Sequence, residues 1–320
     1  GGSGSSSQSN TGQLTLGLTD APIETALSVI VAFSGFELKP RNSDPLDPIT
    51  FDATSCDDFD ATTGTCSIDL LELTGDTRKV VFNGAIPAGE YEWIRLIVDA
   101  DRDEMDSYID LRDGGMCSIW VPSGDQAGLR VVSGITVTAN GVSDYTLDFD
   151  VRSSIAVPPG LAFDSTEACT ANYILKPAIR IVDTTETGTI AGSVSEALLD
   201  DAESCVRDET SLLYESAAVY VFENFDGTAV ADDIDDASAN PNPITTASVV
   251  YDATQAAYGY EAGYLLAPED SLVALTCTGG VDMPDSDEFD PADESAQAFG
   301  FVAERGVTTV AHEAADGAFE

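Results

Sequence analysis

The sequence predicts an all-β protein in which two β-sandwich domains follow one another, preceded by a flexible Gly/Ser N-terminal tether. Three observations lead to this prediction. A chain of 320 residues has the length of about two domains. Short runs of β-branched and aromatic residues alternate with clusters of Gly, Pro, Asn or Asp. Helical periodicity is scarce, and its best stretch, at residues 197–201, is too short to form a layer of the fold.

The first segment, residues 1–11, has the Gly and Ser content of a flexible linker. It resembles the tether that follows the lipidated cysteine of bacterial lipoproteins, which would place a lipid anchor upstream of Gly1. That cysteine is absent, so a cloning linker is the alternative. No stretch has the roughly 18 apolar residues of a membrane span, and no signal peptide is recognisable. We therefore expect a mature chain without a transmembrane segment.

The first domain is expected at residues 12–183. Leucines alternate through residues 13–19, and apolar residues alternate again from Leu27 to Phe33. We expect these two runs to form neighbouring strands. Further strands of this domain are expected at residues 67–73, 90–98, 128–138, 143–151 and 172–182.

A polar passage at residues 183–187 marks the expected boundary, and a second sandwich of about seven strands is expected at residues 187–320. Its strands are expected at residues 218–222, 246–251, 258–266, 272–277, 298–302 and 307–311.

Six cysteines are present, without a C-x-x-C pair and with a single histidine that could help to hold a metal. Disulfides in an oxidising compartment are therefore favoured over a metal site. Six cysteines allow 15 connectivities. We predict sequential pairing, because it keeps each bond within one domain. The predicted bonds are Cys56–Cys66, Cys117–Cys169 and Cys205–Cys277.

The charge is extreme, with 13 Lys and Arg against 57 Asp and Glu and a net charge of −44. Such a chain repels phosphate backbones and anionic lipids, so nucleic acid and anionic membranes are excluded as partners. The hydrophobic fraction of 43% is high enough for a folded core. Acidity of this degree is typical of adaptation to salt or of cation binding. We expect a location outside the cell or on the outer surface of a marine or halophilic bacterium.

The strongest candidate for a cation site is the acidic stretch from Asp99 to Asp110, interpreted as a hairpin. Calcium takes six to eight oxygen ligands, and we predict that it binds Asp99, Asp101, Asp103 and Asp110. The sequence lacks the turn glycine of a helix-loop-helix calcium loop, and a solvated acidic hairpin is the alternative. The second choice of calcium ligands is Asp285, Asp287 and Asp290. Asp20 is expected to cap a turn rather than to bind a metal.

No enzyme class is favoured by the sequence. The only histidine, His312, is expected in a terminal strand, and no G-x-S-x-G motif is present. Carboxylate pairs are too numerous for any one of them to stand out as a glycosidase site. Trp93 and Trp120 are candidates for stacking on sugars, although we expect Trp93 to be buried in its strand and Trp120 to pack on a disulfide as readily as on a ligand.

Two phrases bound the first domain: G-Q-L-T-L-G-L-T-D-A-P at residues 12–22 and Y-I-L-K-P-A-I-R at residues 173–180. Between them lie P-A-G-E-Y at 87–91 and L-D-F-D at 147–150. In these phrases and their order the chain resembles the bacterial domain-of-unknown-function family 4382. The resemblance implies a secreted or lipid-anchored envelope protein, a β-sandwich and no established activity, so it supplies no catalytic residues.

The second domain is similar, more weakly, to the prealbumin-like (Ig-like) sandwiches of carboxypeptidase regulatory domains. The similarity lies in G-T-I-A-G-S-V at residues 188–194, A-V-Y-V-F at 218–222 and the Gly-Tyr pairs at 259–260 and 263–264. The resemblance implies a spacer or a binding module.

The sequence therefore favours a non-enzymatic structural or adhesion protein, secreted or anchored at a bacterial surface and stabilised by disulfides and by calcium. Its expected partners are other copies of itself or cell-surface components. Two alternatives stay open: a subunit of an extracellular fibre assembled by strand addition, and a carbohydrate-binding module.

Overall fold

The protein is represented by a computed structural model. The structure describes residues 10–21, 26–111, 114–122, 128–132, 134–156, 173–176, 178–201, 205, 207–214, 217–224, 226–232, 239–277, 297–302, 304–311 and 317–320. Nearly all regular structure in these residues is β-strand, so the predicted all-β class is confirmed.

Among the described residues, fifteen strands end at or before Asp183, and they form two sheets. They are β1 (Thr11–Ala21), β2 (Ala26–Pro40), β3 (Ile49–Thr50), β4 (Phe59–Asp60), β5 (Thr65–Asp69), β6 (Lys79–Pro87), β7 (Gly89–Asp99), β8 (Tyr108–Leu111), β9 (Gly115–Trp120), β10 (Leu129–Val131), β11 (Ile135–Val137), β12 (Val142–Asp150), β13 (Ile155–Ala156), β14 (Tyr173–Leu175) and β15 (Ile179–Asp183). The short helix α1 (Val151–Ser154) follows β12.

The smaller of these two sheets has the order β15-β12-β1-β6. The larger is organised around β2, which pairs with β8 and then β7 along one side and with β5 and β3 along the other. β1 runs parallel to β12 and antiparallel to β6. Leu14, Leu16 and Leu18 of β1 are fully buried in one continuous core with the inward residues of β2. The two sheets therefore face each other across that core.

The expectation that the first two apolar runs are neighbouring strands is wrong. β1 and β2 lie in different sheets, because both have a fully apolar face and these faces bury each other across the sandwich instead of lying side by side. Leu27 is also not a core residue: the register of β2 against β8 shifts between Ala26 and Ser28, and Leu27 is 53% exposed.

After β15, the 3₁₀ turn Thr184–Glu186 leads into the next strand, and the eight strands that the structure describes beyond it form two four-stranded sheets. They are β16 (Thr187–Val194), β17 (Ala217–Glu223), β18 (Thr245–Ser248), β19 (Val250–Asp252), β20 (Ala257–Leu266), β21 (Asp270–Cys277), β22 (Gln297–Val302) and β23 (Thr308–Ala311), with the helix α2 (Glu196–Asp201) after β16.

The strand orders of these two sheets are β19-β20-β16-β23 and β18-β17-β21-β22. A second core lies between them, separate from the first. In the described part of the chain, no strand of the first two sheets pairs with a strand of the last two. We call the two halves the first unit (β1–β15) and the second unit (β16–β23).

Disulfides join Cys56 to Cys66 and Cys205 to Cys277, one in each unit. Cys117 is also disulfide-bonded, while Cys169, its predicted partner, lies outside the described residues. Each cross-link closes a loop and so reduces the entropy of the unfolded chain.

Among the residues that the structure describes, no helix has the length and apolar character needed to cross a bilayer.

Candidate functional site

The acidic loop, defined here as residues 99–106, begins at the end of β7. Carboxylate oxygens of Asp99, Asp101 and Asp106 lie within 4.8 Å of one another. The carboxylate of Asp106 accepts hydrogen bonds from the backbone amides of Asp101, at 3.3 Å, and Ser107, at 2.8 Å. The loop therefore gathers three carboxylates between the end of β7 and the start of β8, fewer than the oxygen ligands that calcium takes.

This cluster differs from the predicted ligand set. It contains Asp99 and Asp101 but neither Asp103 nor Asp110, and it includes Asp106, which the sequence reading did not select. The second-choice ligands Asp285, Asp287 and Asp290 lie outside the described residues.

The cause of this difference is that the acidic stretch is not a hairpin. β7 and β8 do not pair with each other, because both run antiparallel to β2 along the same side of it, β7 opposite residues 32–40 and β8 opposite residues 26–30, while β5 takes the other side. The acidic loop leaves this side of β2 after Asp99 and returns to it at Ser107, whose hydroxyl donates to the carbonyl of Asp99. Asp99 faces Ala32 of β2, whereas Asp110 faces Ser28. Four residues along a strand correspond to about 13 Å, and this separation places Asp110 away from the cluster.

Many other aspartates serve as turn formers. Six Asp-x-Thr segments share one geometry, in which the Asp Oδ1 atom accepts the amide of the threonine two residues later at 2.8–3.0 Å. They begin at Asp52, Asp60, Asp183, Asp208, Asp226 and Asp252. These hydrogen bonds lower the pKa of Asp52, Asp60 and Asp226 below the ordinary value. The repeated D-x-T pattern was visible in the sequence and indicates Asx-turns.

Asp20 lies at the end of β1, and the next residues, 22–25, which would form the turn it was expected to cap, lie outside the described residues. Its side chain is 4% exposed, and Oδ1 accepts the amide of Val151, at the start of α1, at 3.3 Å. It therefore connects the end of β1 to the segment that follows β12.

A further polar arrangement lies at the interface between the two units, here called the junction. At its centre, Arg180 of β15 is paired with Asp148 of β12, with 2.6 Å between Nη2 and Oδ2 and 2.7 Å between Nε and Oδ2. The side chains of Asp148 and Arg180 are 4% and 19% exposed. Burial raises the pKa of Asp148 and the Arg180 charge opposes that rise.

The guanidinium of Arg180 also forms hydrogen bonds with the second unit. Nη1 of Arg180 donates to the carbonyl of Tyr264 at 2.6 Å, and Nη2 donates to the carbonyl of Gly263 at 3.3 Å. Asp148 also accepts a hydrogen bond from the side chain of Thr245, on β18. One buried ion pair therefore makes polar contacts with two strands of the second unit.

A second set of contacts holds the turn before β6 against β20. The Tyr264 hydroxyl donates to the carbonyl of Asp76 at 2.7 Å, and the amide of Asp76 donates to Oε1 of Glu261 at 3.1 Å. A Cβ atom on Gly263 would lie 2.3 Å from the carbonyl oxygen of Gly75. Only glycine permits this close backbone approach between the two units.

The position of Tyr264 depends on an irregularity in β20. The register between β16 and β20 shifts between Gly188 and Ile190, and Tyr264 has φ of 57°, in the left-handed region that non-glycine residues rarely adopt. In this conformation, the backbone carbonyl and the side-chain hydroxyl of Tyr264 both form hydrogen bonds with the first unit. Burial raises the pKa of Tyr264 to about 12, so its hydroxyl is a protonated donor at neutral pH.

The two tryptophans lie on the outer face of the larger sheet. The core residues of β7 are Ile94, Leu96 and Val98, so the alternating side chain of Trp93 faces the other way and is half-buried. The expectation of a core position for Trp93 is therefore wrong. Arg130 stacks on Trp93 at 5.8 Å and Arg102 on Trp120 at 5.0 Å, measured to the ring centroids.

The predicted candidate His312 lies outside the described residues. So do residues 1–9 of the predicted tether.

Residues 11–177, just over half of the chain, match the model of a protein family described as "Domain of unknown function (DUF4382)". The matched residues end before Arg180, which therefore lies outside the part that the family model covers. A search of curated proteins finds no significant match.

Among solved structures, similarity is found to a candidate adhesin from Bacteroides ovatus, with 6% identity, a TM-score of 0.22 and coverage of 97% of this chain and 92% of that one. A candidate cell adhesion protein from Parabacteroides distasonis has 10% identity and a TM-score of 0.18, with coverage of 92% and 82%. The major pilin of Streptococcus pyogenes has 12% identity and a TM-score of 0.14, with coverage of 82% of each chain. TM-scores this low do not assign a function to the chain.

Proposed function

This chain belongs to the DUF4382 family, whose description names no activity, and we propose from its structure that it is a non-enzymatic structural or adhesion protein of a bacterial cell surface. The junction carries the proposal. A buried ion pair, a close glycine contact and a tyrosine hydroxyl all hold the two units in one relative orientation. A rigid two-unit module suits a protein that projects a binding surface or transmits force.

The cross-links and the charge support a location outside the cytoplasm. Disulfides in both units require an oxidising environment to form and persist. A net charge of −44 keeps the folded protein soluble and repels other anionic surfaces, while salt outside the cell screens the repulsion within it.

Assembly into a fibre by strand addition is a weaker proposal. β6 is the longest of the strands at a sheet edge in the described residues, and it pairs with β1 alone. However, it begins at Lys79 and ends at Pro87, and its register against β1 shifts near Val80. A charge, a proline and a bulge are features that discourage the addition of another strand.

Carbohydrate binding is also a weaker proposal. A sugar ring would have to stack on the face of Trp93 or Trp120, and the guanidinium of an arginine already lies over each ring. Binding would have to displace a cation–π contact that itself contributes about 0.5–1 kcal/mol at an exposed site.

Immunogold electron microscopy of intact source cells tests the proposal. We expect an antibody raised against the folded protein to label the outside of unbroken cells. Labelling that appears only after the cells are lysed would contradict a surface location. In the same images, labelled filaments would favour the fibre alternative, whereas scattered single labels would favour a monomeric surface protein.

A further inference from the structure

A cavity of about 190 Å³ opens beside the junction, between β15 of the first unit and β17, β20 and β21 of the second. Its walls are largely aliphatic and come from both units. The aliphatic lining residues are Ile181, Val182, Ile244, Leu265 and Leu266. Because neither unit forms this space alone, the cavity exists only while the junction holds the two units together.

Arg180 lines the cavity but has its hydrogen bonds directed elsewhere. Its guanidinium is engaged by Asp148 and by the carbonyls of Gly263 and Tyr264. Arg180 therefore offers little attraction for an anion, and the charge that a ligand meets is set by the other polar residues of the lining.

Those other charged residues are all acidic: Glu223, Glu269 and Asp270. Glu223 pairs across the sheet with Ser271, and Glu269 precedes Ser271 by two residues, so the two glutamates lie diagonally on one face. Burial raises the pKa of Glu269, and the nearby Glu223 charge raises it further. Among the described residues, no ion pair involves any of these three carboxylates.

An aliphatic cavity with unpaired carboxylates at its margin suits a cation that carries a hydrocarbon chain. A hydrated metal ion does not suit it, because aliphatic walls cannot replace the oxygen ligands that calcium or magnesium requires. A lysine side chain has both parts: its methylenes bury against apolar surface while its ammonium group stays beside the acids.

We propose that the junction cavity is a docking site for a lysine side chain of a partner protein. The stem of the lysine packs against Ile181 and Ile244, which are half-buried, and its ammonium group lies between Glu223 and Glu269. This site goes beyond the proposed structural role, since it specifies the chemistry by which the module recognises another protein.

The test uses the complete chain in 0.15 M sodium chloride, with blocked lysine (N-acetyl-lysine methylamide) as the probe and amide chemical shifts as the readout. We expect saturable shifts at Val182, Leu265 and Ser271, with a dissociation constant on the order of 1 mM, because a single side chain contributes few atoms. Blocked norleucine, which has a similar stem without the charge, should bind at least about fivefold more weakly.

Two variants separate the site from the general acidity of the surface. Glu223→Gln with Glu269→Gln should weaken lysine binding roughly 5- to 10-fold. The matched control, Asp57→Asn with Glu209→Gln, removes two exposed charges elsewhere and should leave binding unchanged. Leu266→Lys, at the half-exposed margin of the cavity, should abolish probe binding by supplying its own ammonium group.

Three results would overturn the proposal. Shifts spread over the acidic surface without saturation would show unspecific attraction to a polyanion. Equal affinity for blocked norleucine would show an apolar hole without charge recognition. Equal weakening in both double variants would show that these two glutamates hold no special position.

Discussion

The junction and the acidic loop use the same kind of residue in opposite ways. At the junction, Asp148 is 4% exposed and bonded to Arg180. In the acidic loop, Asp101 is exposed and has two further carboxylates within 4.8 Å. Removal of the positive partner would leave a buried charge at the first site, whereas the charges of the second site are already screened by water and ions.

This contrast shows that the acidic residues of the chain have different structural roles. One set of aspartates is built into the interior contacts of the protein, a second set forms Asp-x-Thr turns, and a third is surface charge. The stability that the first set contributes depends on its cationic partner. The contribution of the second set depends on pH, and that of the third depends on salt and divalent cations.

The largest effect is expected at the junction ion pair. Arg180→Ala leaves Asp148 buried without its cation, which costs about 3–5 kcal/mol of unfolding free energy. Urea denaturation measures this loss. The matched control is Arg41→Ala, which breaks the exposed Arg41–Glu90 pair, with side chains 64% and 58% exposed, and should cost about 0–1 kcal/mol.

A combined variant, Arg180→Met with Asp148→Asn, checks the reason for that loss. Because no buried charge is left unpaired, it should recover much of the stability that Arg180→Ala loses. If Arg180→Ala cost no more than Arg41→Ala, the junction would not depend on this ion pair.

The next largest effect concerns the acidic loop, where calcium binding stays a prediction. Calcium at 100 times its dissociation constant would add about 2.7 kcal/mol to stability. Thermal unfolding in molar sodium chloride measures it, because unspecific screening is then saturated. Asp101→Asn with Asp106→Asn should remove the increment, and Asp44→Asn with Asp47→Asn, two exposed acids elsewhere, should not.

A parent protein whose melting temperature does not respond to calcium under these conditions would identify the acidic loop as solvated surface. A response that survives in the Asp101 and Asp106 variant would place the ion elsewhere.

A smaller effect is expected at Tyr264. Tyr264→Phe removes the hydroxyl that bonds to the carbonyl of Asp76 and should cost about 1 kcal/mol at neutral pH. The pKa of Tyr264 is raised from 10.0 to about 12 in the folded protein. Its contribution is therefore complete below pH 10 and lost as the pH rises from 10 to 12.

Urea denaturation at a series of pH values from 8 to 12 distinguishes the two proteins. The parent should lose stability more steeply than Tyr264→Phe above pH 10, and parallel curves would contradict a role for this hydroxyl in the junction. Tyr214, whose pKa is also raised to about 12, titrates in both proteins and so cancels from the comparison.

The smallest effect is expected at the turns. The pKa of Asp52 is lowered because its carboxylate accepts two hydrogen bonds from Thr54. Its stabilisation is present above the unfolded value of 3.8 and disappears as the pH falls through and below that value. Asp52→Asn keeps an acceptor oxygen without the charge, so its denaturation midpoint should fall less than that of the parent between pH 5 and 2. An equal fall of the denaturation midpoint in the parent and in Asp52→Asn would contradict a stabilising role for the charge of Asp52.

The alternation of residue types predicted most of the strands. The expected strands at 90–98, 258–266 and 272–277 correspond to β7, β20 and β21, with ends displaced by at most two residues. β6, at Lys79–Pro87, was not predicted: Asn83 and Gly84 interrupt its apolar run, and only Val81 and Ile86 are buried.

The candidate site was less accessible from the sequence. The acidic stretch suggested a cation site, and two of its four predicted ligands, Asp99 and Asp101, lie in the observed cluster. Asp110 lies elsewhere because β8 continues along the same side of β2 beyond β7, which places Asp110 opposite Ser28 and Asp99 opposite Ala32; local spacing does not reveal this arrangement.

The sequence by itself determined the all-β class, the family and the general acidity, because alternation, motif phrases and composition are properties of neighbouring residues. Only the tertiary structure decided which strands face each other and which charges meet. Arg180 and Tyr264 are 84 positions apart, and no local sequence pattern near either residue predicts that they are in contact. Their contact arises because the bulge in β20 and the glycine at 263 bring two backbones together. The free energy of a buried charge depends on the groups that it contacts in the folded protein and not only on the type of residue that carries it.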